Sequence, residues 1–229
     1  MSTSENIKKR IIAAGNNHRY YAADNISQFI EEGEIPQLID EVSGKFEAVL
    51  QSLIIDTEND PNSQDTAKRL AKMYVNEIMS GRYVEEPSPN AFPNEGGKYN
   101  QLIVVRCEIK SMCSHHHQPV NGVAIIGCKP GANMLGLSKY SRIVEHISRR
   151  GHLQEEMTEM IAARLMKITK AKGIGVYVRA THGCCENRGI NTHNSTTQTT
   201  VLKGELLDIP SLKNEFMDNV KIQETLYVK

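Results

Sequence analysis

The chain has 229 residues, with 27 basic and 27 acidic side chains, so its formal net charge is zero. This balance provides no general attraction to nucleic acid or to an anionic membrane surface. Tryptophan is absent and only 5% of the residues are aromatic, which leaves no visible stacking platform for single-stranded nucleic acid. The mean hydropathy of −0.42 and the lack of a long apolar run argue against a membrane-spanning helix.

The cellular compartment is predicted from the N-terminus and from the cysteines. The first residues are polar and lack the hydrophobic region of a signal peptide. Five cysteines form an odd number, which does not favour a disulfide framework. We therefore expect a cytoplasmic protein with reduced thiols, some of which bind a metal.

The first part of the chain is predicted to be helical. Residues 1–24 are polar and are expected to form a tail or a short interface arm. In the region 25–84, apolar side chains recur with a period near 3.6 residues over 35–53, which indicates an amphipathic helix. A second helix is expected at about 65–79, because a Ser-Gly pair follows it. The region 25–84 is therefore interpreted as a helical N-terminal part.

The remainder of the chain, residues 100–229, follows a Pro- and Gly-rich linker at 85–99 and is predicted to be a single domain. Runs of β-branched residues alternate with helical periodicity in the order ββααββ. The predicted elements are strands at 102–109 and 120–128, helices at about 138–150 and 153–170, and strands at 174–181 and 196–205. The fold class is therefore α+β, with an antiparallel sheet and two helices.

Such a sheet has consequences for assembly. Two helices cover one face of four strands, so the other face and both edges are expected to be uncovered. Unpaired strand edges tend to pair with other strands. We therefore expect a symmetric homo-oligomer in which several sheets close into a barrel.

Two short clusters of cysteine and histidine suggest a metal site. Cys113, His116 and Cys184 offer the thiolate and imidazole ligands that zinc prefers. A structural zinc site usually has four protein ligands, whereas three leave a position for water, as in catalytic sites. His115 and His182 lie beside these residues, where they could transfer protons. The simpler alternative is a pair of buried thiols with surface histidines.

Five segments, in order and in register, resemble the GTP cyclohydrolase I family. They are residues 65–74, 111–116, 136–144, 154–158, and 182–184 followed by Arg188-Gly189. The similarity extends from about residue 35 to about residue 219. The resemblance implies the tunnelling fold, ββααββ with an N-terminal helical extension. It also implies a decamer of two face-to-face pentamers, with active sites at subunit junctions.

The resemblance implies a reaction and its catalytic groups. The reaction is hydrolysis of GTP to 7,8-dihydroneopterin triphosphate and formate, whose product serves folate, biopterin or deazaguanine synthesis. Zn²⁺ is expected on Cys113, His116 and Cys184. The expected proton-transfer residues are His115 and His182, with Ser138 assisting at the ribose stage.

The resemblance also implies how the nucleotide binds. Glu155 is expected to accept two parallel hydrogen bonds from the guanine, with Gln154 adding a contact. The triphosphate requires convergent cations and a helix N-terminus, because no Walker loop is present. The residues expected to bind it are Ser138, Lys139, Arg142, Arg188, Arg69 and Lys72. Without the resemblance, these side chains would be interpreted as a solvated helical turn and a charged surface.

The sequence also departs from the family pattern. Ser114 stands where glutamate is usual, His117 where leucine is usual, and Cys185 where methionine or valine is typical. The segment 191–193 lacks the common basic residues. We expect these departures to affect rate, substrate preference or regulation, and not the metal ligands.

Two other functions remain open at this level. One is a tunnelling-fold relative with other purine or pterin chemistry, such as the nitrile reductase of queuosine synthesis, which uses a cysteine nucleophile and no zinc. The other is a non-catalytic interaction protein with structural zinc. That protein would need a fourth ligand, for which His115 and Cys185 are the near candidates.

Overall fold

The computed structural model describes residues 1–15, 19–192 and 195–226. His193, in the segment that departs from the family pattern, lies outside these ranges. The chain divides into two units, Met1–Glu85 and Glu86–Lys229, so the second unit begins close to the start of the predicted linker. Within the described ranges, no helix combines the length and the apolar character needed to cross a membrane.

The N-terminal unit is helical, as predicted for its second part. A π-helical turn, Met73–Ile78, continues directly from the third helix. A 3-10 turn, Ser27–Phe29, precedes the second helix. The helices are α1 (Thr3–Ala13), α2 (Glu34–Ser52), α3 (Thr66–Lys72) and α4 (Ser80–Tyr83).

Helix α1 replaces the polar tail that the sequence predicted for its residues. Ser2 and Glu5 form a capping box, in which each side chain accepts a hydrogen bond from the backbone N–H of the other. Ile7 and Ile11 lie four residues apart, on one face of the helix, and are buried in a cluster with Ile26. These two buried residues give the helix an apolar contact that its mostly polar sequence does not suggest.

The second unit contains a five-stranded sheet in the order β5-β2-β3-β6-β7. The four long strands pair antiparallel, whereas β5 pairs in parallel with the last two residues of β2. A separate two-stranded pair joins β1 to β4. The strands are β1 (Phe92–Pro93), β2 (Ile103–Cys113), β3 (Pro119–Lys129), β4 (Asn133–Met134), β5 (Gly151–His152), β6 (Gly173–His182) and β7 (Thr196–Gly204).

Two long helices lie between β3 and β6 in the chain, so the predicted order ββααββ is confirmed for the main elements. Their apolar faces pack on one face of the sheet, in a cluster that includes Ile126, Ile143, Met157 and Val176. A short 3-10 turn, Glu95–Gly97, precedes β2. The helices of this unit are α5 (Leu137–Ser148), α6 (Gln154–Thr169), α7 (Gly183–Glu186), α8 (Glu205–Asp208) and α9 (Pro210–Leu226).

Helix α9 covers part of the opposite face, which the sequence analysis expected to be uncovered. Phe216 is completely buried there, in a cluster with Ile125 and Tyr177. Gly127 and Gly175 provide the space, because a Cβ on Gly127 would lie 2.5 Å from Phe216 Cδ2 and one on Gly175 would lie 2.8 Å from Phe216 Cε1. The expectation of an open face is therefore wrong where α9 packs.

The edges of the sheet were expected to be uncovered, and where the structure describes them they largely are. Among the described residues, β7 is the last strand of the sheet, and β5 pairs only with Met112 and Cys113 at the end of β2. In the described part of the chain, the rest of the outer edge of β2 and the outer edge of β7 therefore have no strand partner. Such edges are available for pairing with another subunit.

Candidate active site

The ends of two hydrogen-bonded strand pairs bring the cysteine and histidine clusters together. Cys113 is the last residue of β2, and the turn after it leads into β3, which pairs with β6. Val120 of β3 lies opposite His182, the last residue of β6, and Cys184 follows in α7. The register of β3 with β6 therefore places two distant segments at one end of the sheet.

The turn after β2 is closed by two backbone hydrogen bonds. The Cys113 N–H donates to the Gln118 carbonyl at 2.9 Å, and the His117 N–H donates to the Cys113 carbonyl at 2.9 Å. His117 has a φ of 50°, in the left-handed region, which is uncommon for a residue with a side chain. His115 and His116 are exposed in this turn, and their ring centroids lie 6.2 Å apart.

The ligand atoms of Cys113, His116 and Cys184 all lie within 4.8 Å of one another. These are the three metal ligands that the sequence predicted. Among the described residues, the group that could hold a metal includes neither His115 nor Cys185. The structure therefore offers three protein ligands, without the fourth that a structural site usually has.

The electrostatics of the two thiols fit a bound cation. Burial, together with the adjacent sulfur of Cys113, raises the pKa of Cys184 to about 11. A thiolate at Cys184 is therefore unfavourable in this setting unless a positive charge lies beside it. A divalent transition metal supplies that charge and deprotonates its thiol ligands. The donor set therefore fits a metal site.

His182 lies beside this group and is half-buried. Burial lowers its pKa, whereas the carboxylates of Glu155 and Glu186 act in the opposite direction. Its Nε2 atom lies 2.8 Å from Oε1 of Gln154. A histidine with a lowered pKa is neutral near pH 7 and can accept a proton.

Gln154, the first residue of α6, is predicted to contact the guanine, but the structure places its amide among protein groups. It is only 3% exposed. Its Nε2 atom donates to the carbonyls of Val178 and Thr197 and to the hydroxyl of Thr199. Thr199 and Thr158, which also belong to this hydrogen-bond network, were not predicted from the sequence. Only Thr158 could have been, because it lies four residues after Gln154 and therefore on the same face of α6.

Glu155 and the N-terminus of α5 are accessible to a ligand. Glu155 is exposed in the first turn of α6, close enough to His182 for its charge to act on that ring. Ser138, Lys139 and Arg142 occupy the first turns of α5, where the free backbone N–H groups favour anions. Ser138 and Arg142 are exposed, and Lys139 is half-buried.

The remaining predicted phosphate ligands lie elsewhere. Arg188 is exposed just after α7 and donates from Nη1 to Nε2 of His116 at 3.1 Å. Arg69 and Lys72 are exposed on α3 of the N-terminal unit, where Arg69 forms an ion pair with Asp65 at 3.6 Å. Arg188 therefore contacts one of the three candidate metal ligands, His116.

Comparison with known proteins identifies the family. The family model for GTP cyclohydrolase I matches residues 42–221. A GTP cyclohydrolase 1 from Aeromonas hydrophila is 34% identical over 184 residues, which cover 80% of this chain and 84% of that protein. A protein of the same name from Pseudoalteromonas translucida is 36% identical, and the match covers 75% of this chain and 95% of that protein. Another from Hahella chejuensis is 32% identical, and the match covers 82% of this chain and 100% of that protein. The chain therefore belongs to the GTP cyclohydrolase I family.

Proposed function

We propose that this protein is a GTP cyclohydrolase I that hydrolyses GTP to 7,8-dihydroneopterin triphosphate and formate in the cytoplasm. The observation that carries the proposal is the meeting of Cys113, His116 and Cys184, with their ligand atoms within 4.8 Å of one another and His182 beside them. Family membership supports the same activity, and the match extends over residues 42–221.

The metal we propose is Zn²⁺, because two thiolates and an imidazole are ligands that zinc prefers. When bound, zinc lowers the pKa of a water molecule to about 7 and so supplies a nucleophile near neutral pH. Three protein ligands leave a coordination position for that water.

The residues around the metal group bind the guanine and move protons. The exposed carboxylate of Glu155 accepts hydrogen bonds from the guanine N1–H and amino group, which adenine does not offer in the same arrangement. His182 accepts the proton that water loses as it adds to C8, and returns it to a ring nitrogen when the C8–N bond breaks. A second hydrolysis releases C8 as formate, with His115 as a further proton carrier in the exposed turn.

The triphosphate binds at the N-terminus of α5, and Arg188 provides a further cation for it. Ser138, Lys139 and Arg142 provide a hydroxyl and two cations there, and the helix dipole adds a favourable partial charge. Ser138 also assists proton transfer when the ribose opens and its carbons close the new ring with loss of one water. Arg69 and Lys72 are further cations proposed for the triphosphate.

We further propose that the protein assembles as a decamer of two pentamers, with each active site at a subunit junction. The unpaired outer edges of β2 and β7, among the described residues, support association through strand pairing. Size-exclusion chromatography with light scattering measures the assembly, and a monomer that retains full activity would rule out the shared site.

The activity is tested by incubating purified protein with GTP and measuring formate together with the absorbance of the pterin product. The matched control is ATP, which should yield neither. Stripping the metal with a chelator should abolish formate release, and zinc should restore it. Turnover that persists in fully stripped protein would contradict the zinc enzyme. Purified protein that holds no metal and does not convert GTP would favour a relative that uses a cysteine nucleophile. Bound zinc without any turnover of GTP would favour the non-catalytic alternative.

A further inference from the structure

The hydrogen bonds around Gln154 determine which end of its amide faces His182. The carbonyl oxygens of Val178 and Thr197 lie 3.3 and 3.1 Å from Nε2 of Gln154. Carbonyl oxygens can only accept hydrogen bonds, so the atom that faces them must be the amide nitrogen. The amide oxygen is therefore the end that contacts His182, at 2.8 Å.

Two threonines complete a closed chain of donors and acceptors. The Thr158 hydroxyl donates to the backbone carbonyl of Gln154 at 2.7 Å, which uses its single proton. The hydroxyls of Thr158 and Thr199 lie 2.7 Å apart, so Thr199 must donate to Thr158. Thr199 then has a lone pair for the Gln154 amide, 3.1 Å away. The two hydroxyl protons therefore each have one assignment, and the two protons of the Gln154 amide are shared among three acceptors.

We infer that Gln154 and Thr199 are positioning residues that hold His182 with its proton on Nε2. The Gln154 amide oxygen can only accept, so Nε2 of His182 must donate to it. In the neutral ring, the lone pair is then on Nδ1. The hydrogen-bond network therefore fixes the tautomer of the neutral ring.

This inference rests on the proposed function, because it assigns Gln154 a role within that reaction. It replaces the guanine contact that the sequence suggested for this residue. A side chain that is 3% exposed and hydrogen-bonded at both ends of its amide has little capacity left for a substrate. Its effect on catalysis should therefore pass through His182.

The test compares the turnover and the GTP affinity of a Gln154→Met variant with those of the wild type. Methionine has a similar length but neither donates nor accepts as an amide does. We expect kcat to fall at least about tenfold, because general acid–base catalysis depends on the correct tautomer. We expect the Kd of metal-stripped protein for GTP, measured by calorimetry, to change less than kcat does. A loss of affinity that equals or exceeds the loss of kcat, or a kcat loss below about tenfold, overturns the inference.

Thr199 provides the second arm, with a conservative variant and a neighbouring control. Thr199→Val should lower kcat, whereas Thr199→Ser, which keeps the hydroxyl, should retain it. Thr200→Val is the control, because Thr200 is exposed and adjacent strand residues point to opposite faces of the sheet. Equal kcat values for Thr199→Val and Thr199→Ser would overturn the role of Thr199.

A spectroscopic measurement does not depend on activity. Protein labelled with ¹⁵N-histidine and stripped of metal should show His182 protonated on Nε2, with its signal assigned by difference from a His182→Asn variant. The proton should leave Nε2, or exchange between both nitrogens, in Gln154→Met. A wild-type His182 protonated on Nδ1 overturns the inference. Failure of the wild type to convert GTP overturns the proposed function instead, and the spectrum still tests the tautomer.

Discussion

Arg188 donates a hydrogen bond to Nε2 of His116 at 3.1 Å, so a predicted phosphate ligand contacts a predicted metal ligand. Arginine has no acceptor, and the imidazole nitrogen that faces it must therefore carry the lone pair. The contact brings positive charge to the edge of the candidate metal site, on the side where Arg188 is exposed to solvent.

We expect an Arg188→Gln variant to bind GTP about tenfold or more weakly, because a hydrogen bond to a charged group contributes about 1.5–3 kcal/mol. Metal content should stay at the wild-type level, since Arg188 is not a ligand. Calorimetry and metal analysis of the same preparation measure both quantities. Arg149→Gln is the control, because Arg149 forms an ion pair with Glu145 on α5, away from the proposed phosphate contacts. Unchanged affinity in Arg188→Gln would remove this residue from the phosphate site.

The candidate metal site predicts a contrast between two adjacent cysteines. Cys184→Ala should lose both metal and GTP turnover, because a group of three ligands has no substitute for one of them. Cys185→Ala should keep both, since Cys185 is not a member of that group among the described residues. Metal analysis by mass spectrometry distinguishes the variants. Loss of metal from Cys185→Ala would add a fourth ligand and favour a structural site.

Glu155 and Glu156 provide a matched pair for guanine recognition. Both are exposed in the first turn of α6. Glu155→Gln should weaken GTP binding by about 2–4 kcal/mol, because a charge-assisted pair is replaced by an amide whose NH₂ faces a donor. Glu156→Gln should leave the affinity unchanged. Equal affinities of the two variants would show that the guanine binds elsewhere.

The Arg10–Glu34 pair predicts a dependence of stability on pH in the N-terminal unit. The Arg10 guanidinium hydrogen-bonds to Glu34 and holds the pKa of that carboxyl below its usual range. A lowered native pKa stabilises the folded state above the unfolded pKa of about 4.3, and this contribution is lost as the pH falls through the native pKa. The free energy of unfolding of wild type should therefore exceed that of Glu34→Gln at neutral pH.

That difference should shrink in acid, below the native pKa of Glu34, where both proteins carry an uncharged side chain. Urea denaturation at several pH values measures it. Glu32→Gln, at an exposed position nearby, is the control for the substitution itself. A difference that stays constant into acid would show that the charge of Glu34 contributes nothing.

The main elements could be predicted because their signals are local. The β-branched runs of β2 and β6 and the apolar spacing of α6 each specify an element without information from the rest of the chain. The group that could hold a metal could be predicted because cysteine and histidine are chemically distinctive and the family motif surrounds them. That their donor atoms meet depends on the register of β3 with β6, which the sequence does not display.

The features that were missed depend on contacts between distant segments. The role of Gln154 depends on the pairing of Val178 with Thr199 across β6 and β7, which brings both residues to its amide. Helix α9 was not predicted, because Leu212 and Phe216 form only a narrow apolar stripe in its sequence. Its docking site includes Gly127 and Gly175, and a glycine in a strand does not indicate which side chain will pack against it.

Because α9 is the last helix of the described chain, it affects the order in which the second unit can fold during synthesis. Phe216 fills the space above Gly127 and Gly175, yet it is synthesised after every strand of the sheet. Until it arrives, Ile125 and Tyr177 line an uncovered apolar groove on that face. A nascent chain that has just formed β7 therefore exposes apolar side chains on this face, and packing of α9 removes that exposed surface.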